Sequence, residues 1–303
     1  MKKSVLKILL CCLTFIPAVA QHGKIQVFEN FPSRNVGTRQ IEVWLPEGYE
    51  DNLGQKYAVL YMQDGQNVFN PETATGGITW EAARTAQDLI NQGQIEPIII
   101  VAVSNTPNRS FEYFPEKAAE YLTDADKEQI YKTVEALGGK KAEFTGDEYA
   151  NFMAEELKPF MDEKFRTKPE AENTALCGSS MGGLISMYTL FEYPKFFGKA
   201  ACVSTHWPVL MDNSNMNPSD AIRKYMENNI PDPENHRLYF DYGTVGLDAY
   251  YEVHQKMVDN LLTHKGYVMG ENLMSERIED GEHNEKSWQQ RFGNVLTFLF
   301  KKK

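Results

Sequence analysis

The sequence predicts an α/β fold: a mostly parallel central sheet with helices on both faces. Three observations predict it. "KYAVLYM" and "IEPIIIVAVSN" are apolar without alternation, as strands buried on both faces are. "DEYANFMAEELKPFMDEKF" carries apolar residues at helical spacing. The two kinds of segment alternate along the chain, and such alternation builds parallel sheets.

The first twenty residues stand apart. "MKKSVLKILLCCLTFIPAVA" has Lys2, Lys3 and Lys7, an apolar run from Ile8 to Ile16, and Ala18-Val19-Ala20. A basic start, a short apolar run and a small-x-small end read as a secretory signal peptide cleaved near Ala20. The apolar run is too short to span a membrane. Residues 21–303 then form one domain, a common size for a single α/β unit.

The elements follow in order. "KIQVFEN" and "RQIEVWLP" alternate apolar and polar residues and open the sheet. "KYAVLYM" is the third strand. "TWEAARTAQDLINQG" is a helix ending at Gly93. "IEPIIIVAVSN" is the next buried strand. Residues 118–146 then break the alternation with a short helix, "DADKEQIYKTVEAL", and a Gly-Gly-Lys-Lys turn. They read as an insertion over the sheet edge, a candidate lid. The helix "DEYANFMAEELKPFMDEKF", the strand "NTALCG" and the helix "MGGLISMYTLFEY" follow. After them come the strand "GKAACVST", the helix "PSDAIRKYMENN", the strand "HRLYFDYG" and the helix "LDAYYEVHQKMVDNLLTHKG". The strand "NLMSERIED" and the helix "KSWQQRFGNVLTFLFKK" close the chain.

Composition narrows the function. Apolar residues make up 42% and charged residues 24%, as in a globular protein. Loss of the three leader lysines takes the formal charge from −11 to −14. An acidic export product is a poor partner for nucleic acid or an anionic membrane surface. Cys177 and Cys202 remain after cleavage and sit in apolar strand-like runs, where buried free thiols are expected.

Gly178-Ser179-Ser180-Met181-Gly182 matches G-x-S-x-G. That motif places a serine on a strained strand-to-helix turn, with small residues two before and two after so the backbone can pass closely. Ser180 fits, whereas Ser179 has Met181 two places on. Ser180 is therefore the candidate nucleophile, and the N–H of Met181 one donor to a developing oxyanion.

A serine needs a base, and the base an orienting carboxylate, in the chain order Ser, acid, His. Five histidines follow Ser180. His236 precedes a strand, and His254 and His264 belong to a helix. His283 lies in "EDGEHNEKSW", between the last strand and the last helix, which is the required place. Two acids compete. Asp248 lies in the loop after "HRLYFDYG", and Asp241 inside that strand. A loop can aim a carboxylate at a neighbouring loop, so Asp248 is favoured over Asp241. The second oxyanion donor is expected from "YMQDGQNVFN", where Gly65 permits a tight turn and Gln66 offers its amide.

"VLYMQDGQNVF", "SNTPNRSFEYFP", "CGSSMGGL", "DYGTVGLDA" and "GEHNEKSW", in this order, resemble the putative-esterase family of α/β hydrolases. That family includes feruloyl and acetylxylan esterases, enterochelin-type siderophore esterases, S-formylglutathione hydrolases and mycolyltransferases. The resemblance implies an α/β-hydrolase fold, a Ser180–Asp248–His283 triad and an oxyanion hole built by Asp64-Gly65-Gln66. It also sets Arg109, Glu112 and Tyr113 near the pocket. Arg109 and Glu112, three apart, are expected to pair and brace their loop. His206 and Trp207, after the strand that follows the serine, are candidate pocket residues, and Trp80 is expected to pack in the core. Asp248 lies five residues past Gly243, further than the usual three or so in this fold.

These readings imply a secreted serine esterase without metal or organic cofactor, acting on acyl groups of carbohydrates or similar small esters. A siderophore esterase and an acyltransferase are the enzymatic alternatives. A carbohydrate-binding protein on a hydrolase fold is the non-catalytic one.

Overall fold

Eight strands form one sheet in the order β1-β2-β4-β3-β5-β6-β7-β8 among the described residues. They are β1 (Lys24–Phe31), β2 (Arg39–Leu45), β3 (Ala58–Gln63), β4 (Ile98–Val103), β5 (Thr174–Ser179), β6 (Lys199–Val203), β7 (Arg237–Gly243) and β8 (Leu273–Ile278). The computed structural model describes residues 22–302. The leader expected at residues 1–20 lies outside them. β1 and β2 pair antiparallel, β2 runs antiparallel to β4, and the other neighbours are parallel. β3, β4 and β5 are buried at every position, which accounts for their unbroken apolar runs. β1 lies at one edge, and Ile25 and Val27 on it are exposed.

The helices are α1 (Ala82–Asn91), α2 (Arg109–Glu112), α3 (Asp124–Ala136), α4 (Gly146–Asn151), α5 (Lys158–Lys164), α6 (Met181–Glu192), α7 (Asn217–Asn229), α8 (Glu252–His264) and α9 (Glu285–Phe300). Side chains alternate across a strand, so each face of the sheet builds its own core. Leu60, Met62 and Ile100 pack with Ala86 of α1 and with Phe292 and Leu296 of α9. Val59, Tyr61 and Val101 pack with Leu184 of α6, Ile222 of α7 and Val258 of α8. Cys177 and Cys202 are free and buried, as expected. No helix among the described residues is long and apolar enough to cross a membrane.

Two elements differ from their expected form. The helix expected from Asp147 to Phe165 is α4 and α5 joined by a wide turn, Phe152–Leu157, with i→i+5 bonding. Pro159 explains the widening, because proline has no N–H for the i−4 carbonyl and crowds it. The helix expected from Leu247 opens instead as a 3-10 turn, Gly246–Tyr250, which carries Asp248.

Residues 118–146 are tied down on two sides. Asp126 accepts hydrogen bonds from Asn215 (2.9 Å) and Asn217 (3.1 Å), before and at the start of α7. Phe144 packs on Phe114 (ring centroids 4.4 Å apart) and on Tyr131 (6.0 Å). Glu116 lies just before this segment and accepts from the Asp147 amide at 3.0 Å. Burial, reinforced by the charges of Glu148 and Asp147, pushes its carboxyl up to about 7. The folded protein therefore holds this proton more tightly than the unfolded chain, whose glutamates titrate near ~4.3. That stabilisation is complete below the unfolded value and is lost as pH rises through about 7. The melting temperature is expected to fall between pH 5 and pH 8, and to fall less in Glu116→Gln, as paired thermal melts at the two pH values would show.

Candidate active site

Ser180 sits between β5 and α6 with φ 58° and ψ −124°, a backbone region that costs a non-glycine residue of order 1–3 kcal/mol. The surroundings hold it there. Its N–H donates to the Val203 carbonyl (2.9 Å), and its own carbonyl accepts from Gly183 (3.0 Å) and His206 (3.2 Å). The flanking glycines are needed for space. A Cβ on Gly178 would lie 2.5 Å from the Gly182 backbone, and one on Gly182 would lie 3.1 Å from a carboxylate oxygen of Asp64. Gly178→Ala is therefore expected to lower the melting temperature by several degrees, the scale of ~1–3 kcal/mol of overpacking. Displacement of the turn should cost at least ~10-fold in ester turnover. A thermal melt paired with initial rates checks both. Ser179 is buried at the end of β5 and is not at the turn.

His283 reaches Ser180 from the loop between β8 and α9. Its Nε2 is 3.0 Å from the Ser180 Oγ, and its Nδ1 is 2.6 Å from an Asp248 oxygen. The Trp288 ring meets the imidazole edge-on at 5.1 Å. Asp248 is fully buried. Its second oxygen accepts from the Ser204 hydroxyl (2.5 Å) and the Gly243 amide (2.7 Å). Burial raises the proton affinity of this carboxyl, but the hydrogen bonds from His283, Ser204 and Gly243 outweigh it and hold Asp248 below its ordinary range. The five-residue offset from Gly243 follows from this geometry. The chain doubles back, so the Gly243 amide itself binds the carboxylate, and a Cβ on Gly243 would lie 2.0 Å from the Gly281 carbonyl oxygen.

Asp241 is placed differently. It is fully buried and receives a two-pronged ion pair from Arg291 of α9, with Nε and Nη2 each at 3.0 Å. The Ser204 amide also donates to it (2.9 Å). Arg291 donates to the Ser204 hydroxyl as well (2.6 Å), as does the Trp288 indole (3.0 Å). Asp241 thus braces Arg291 and Ser204, which stand behind Asp248. Ser204 and Arg291 were not among the expected site residues. Arg291 had a sequence signal, because it shares the apolar stripe of Trp288, Phe292 and Val295 on α9. Ser204 had none.

The Asp64–Gln66 turn follows β3, the strand beside β5. Asp64 has φ 56°, and a Cβ on Gly65 would lie 2.6 Å from the Val103 amide. Only glycine lets the turn press against the end of β4. Gln66 accepts from the Asn105 amide (3.2 Å), and Asp64 accepts from the Asn105 side chain (2.6 Å). The N–H of Met181 opens α6, where the first amides of a helix have no carbonyl within it.

Three expectations need correction. Arg109 does not pair with Glu112. It forks onto Asp64 with two bonds of 2.6 Å, while Glu112 takes Arg39 at 3.1 Å in the interior. α2 is a single turn, so partners on distant segments, Asp64 after β3 and Arg39 at the start of β2, outcompete the local spacing. Trp207 is fully buried, donates to Gln255 (2.9 Å) and packs on Phe240, so it supports the site from behind and offers no surface to a ligand. Tyr113 is likewise fully buried, beneath the Arg109 guanidinium and against Tyr149. Trp80 packs on Trp288 and Phe292, as expected of a core residue.

All of these groups lie at the carboxyl ends of the strands, the usual place for sites in open α/β sheets. At the other end, a cavity of about 940 Å³ is lined by Glu96, Lys199, His236 and Phe300 and shares none of them. Among the described residues, no group of three or more His, Cys, Asp or Glu side chains is arranged to hold a metal ion.

The chain matches the family model described as "Esterase: Putative esterase" over residues 35–299. It is 24% identical over 272 residues to the "Uncharacterized protein YbbA" of Bacillus subtilis (strain 168), covering 88% of this chain and 94% of that protein. An IroE-like serine hydrolase from Shewanella oneidensis superposes with a TM-score of 0.66 at 20% identity, over 91% of this chain and 80% of that one. A ferulic acid esterase superposes with a TM-score of 0.63 at 19% identity, over 91% of this chain and 97% of that one. These likenesses show a shared α/β-hydrolase fold.

Proposed function

We propose that this chain, which belongs to the putative-esterase family, is a serine ester hydrolase that works through an acyl-enzyme. The observation that carries the reading is the hydrogen-bonded line Ser180–His283–Asp248, at 3.0 Å and 2.6 Å, with the serine on a strained turn. His283 takes the Ser180 proton at Nε2 as the Oγ attacks the ester carbonyl. Asp248 accepts from Nδ1, which leaves Nε2 free to act as the base and stabilises the imidazolium that forms. The amides of Met181 and Gln66 receive the oxyanion, each worth ~3 kcal/mol in the transition state. His283 then protonates the leaving alcohol. In the second half it takes a proton from water, whose oxygen attacks the acyl-enzyme and releases the acid.

The leader-like start supports export, and an exported esterase meets acyl groups on polysaccharides. We therefore assign acetyl or aromatic acyl esters of carbohydrates as the substrate class. Purified mature protein, assayed on acetylated xylan, methyl ferulate, a siderophore triester and aryl acetates, tests this. Preference for the siderophore ester would overturn the carbohydrate assignment. Acyl transfer to an added sugar, in place of hydrolysis, would make the protein a transferase. Export is tested by the amino terminus of the secreted protein, expected at Gln21.

A further inference from the structure

Among the described residues three histidines are buried, and one is unlike the others. His254 bonds Ser219 (2.8 Å) and Asn213 (2.9 Å) through its two nitrogens. His236 bonds two backbone carbonyls, of Asp232 (2.8 Å) and Pro194 (3.0 Å). In both residues each ring nitrogen faces a partner within the protein. His206 is only 7% exposed, and its Nδ1 lies 2.7 Å from the Tyr251 hydroxyl. Its Nε2 has no hydrogen-bond partner among the described residues, although it is not sealed from solvent.

The Tyr251 hydroxyl fixes which nitrogen carries the proton. It lies between His206 Nδ1 and, at 3.5 Å, His283 Nδ1. His283 Nδ1 bears a hydrogen that it donates to Asp248, so it cannot accept. Among the described residues His206 Nδ1 is then the acceptor within reach of the tyrosine proton, and we assign the His206 hydrogen to Nε2 on that ground. Burial, with His283 and the Arg109 guanidinium nearby, pushes His206 down to about 3, so the ring remains a neutral donor.

The loop that holds His206 is strained on both sides. Ser204 has φ 42° and Val209 φ 60°, a region where a β-branched residue is an outlier. Such strain persists where the surroundings impose a geometry. The His206 amide also donates to the carbonyl of Ser180, which ties the loop to the nucleophile. The imidazole rings of His206 and His283 are 6.4 Å apart. His283 delivers its proton to the leaving oxygen, so the alcohol half of an ester departs beside it.

We propose that His206 reads the alcohol half of the substrate: its Nε2–H donates to an oxygen near the ester oxygen and selects esters of sugars and polyols over esters of plain alkanols. This assignment rests on the serine esterase reading above. A site built to bond an oxygen rejects the analogue that lacks it, because the buried donor is then left unpaired.

The test compares 2-hydroxyethyl and propyl esters of acetic acid and of ferulic acid, which differ in one terminal hydroxyl. Wild type is expected to favour the hydroxyethyl ester in kcat/KM by ~10-fold or more. In His206→Phe the preference should collapse to within ~2-fold. His206→Gln, which retains an N–H donor, should restore part of it. Tyr251→Phe, which releases the ring, should weaken it. Thermal melts confirm that each variant is folded. A wild type without preference, or a His206→Phe variant that loses both esters by the same factor, would overturn the proposal. If wild type cleaves no ester and a fluorophosphonate leaves Ser180 unlabelled, the serine reading itself falls and takes this one with it.

Discussion

Ser180→Ala is expected to lower hydrolysis of p-nitrophenyl acetate by at least ~10³-fold, with little change in melting temperature. The hydroxyl makes one hydrogen bond, to His283, and fills no core space. The strained turn is held by backbone contacts to Val203, Gly183 and His206 that alanine keeps. The loss should appear in kcat, because the hydroxyl forms a bond to the acyl carbon only as the reaction proceeds. The residual rate would come from the oxyanion donors and from binding. A variant that keeps more than a tenth of the activity would rule out Ser180 as nucleophile.

Asp248→Asn should cost ~10³- to 10⁴-fold in kcat, for a different reason. The second oxygen of Asp248 is claimed by the Ser204 hydroxyl and the Gly243 amide, both donors. An asparagine must turn its carbonyl toward them, which points its NH₂ at His283 Nδ1. The imidazole then carries its proton on Nε2 and cannot accept the Ser180 proton. Asp241→Asn should act on stability instead. It weakens a two-pronged buried pair with Arg291, and half-broken buried pairs cost up to ~3–5 kcal/mol. The expected result is a fall of several degrees in melting temperature and less than ~10-fold in kcat. The reverse outcome, with Asp241→Asn inactive at unchanged stability, would transfer the acid role to Asp241. Assaying the two variants side by side at one temperature, well below both melting points, separates chemistry from folding.

What the sequence revealed depends on how far apart the partners lie. The strands and helices announced themselves because burial on both faces of β3, β4 and β5 leaves unbroken apolar runs. Ser180 was legible because its turn needs glycines two residues either side, a local demand. His283 and Asp248 were readable as loop residues after strands, and the structure brings them to hydrogen-bond distance of each other. The Arg109–Glu112 pairing failed because sequence spacing on one helical turn says nothing of Asp64 and Arg39, which lie 45 and 73 residues away from their partners. Trp207 looked like a pocket residue from its position in the chain, and Tyr113 from the family resemblance, but side-chain direction buries both. The Ser204 hydroxyl could not be read at all. Its role depends on contacts with Asp248, in the turn after β7, and with Trp288 and Arg291 on α9, all distant in the chain.

The central claim is that Ser180 is a nucleophile activated by His283. Intact mass after reaction with a fluorophosphonate, followed by peptide mapping, tests it most directly. The predicted result is one adduct per chain, on the peptide containing Ser180, absent in Ser180→Ala and greatly slowed in His283→Ala. Ester hydrolysis by a protein that remains unlabelled, or an adduct on another residue, would contradict it.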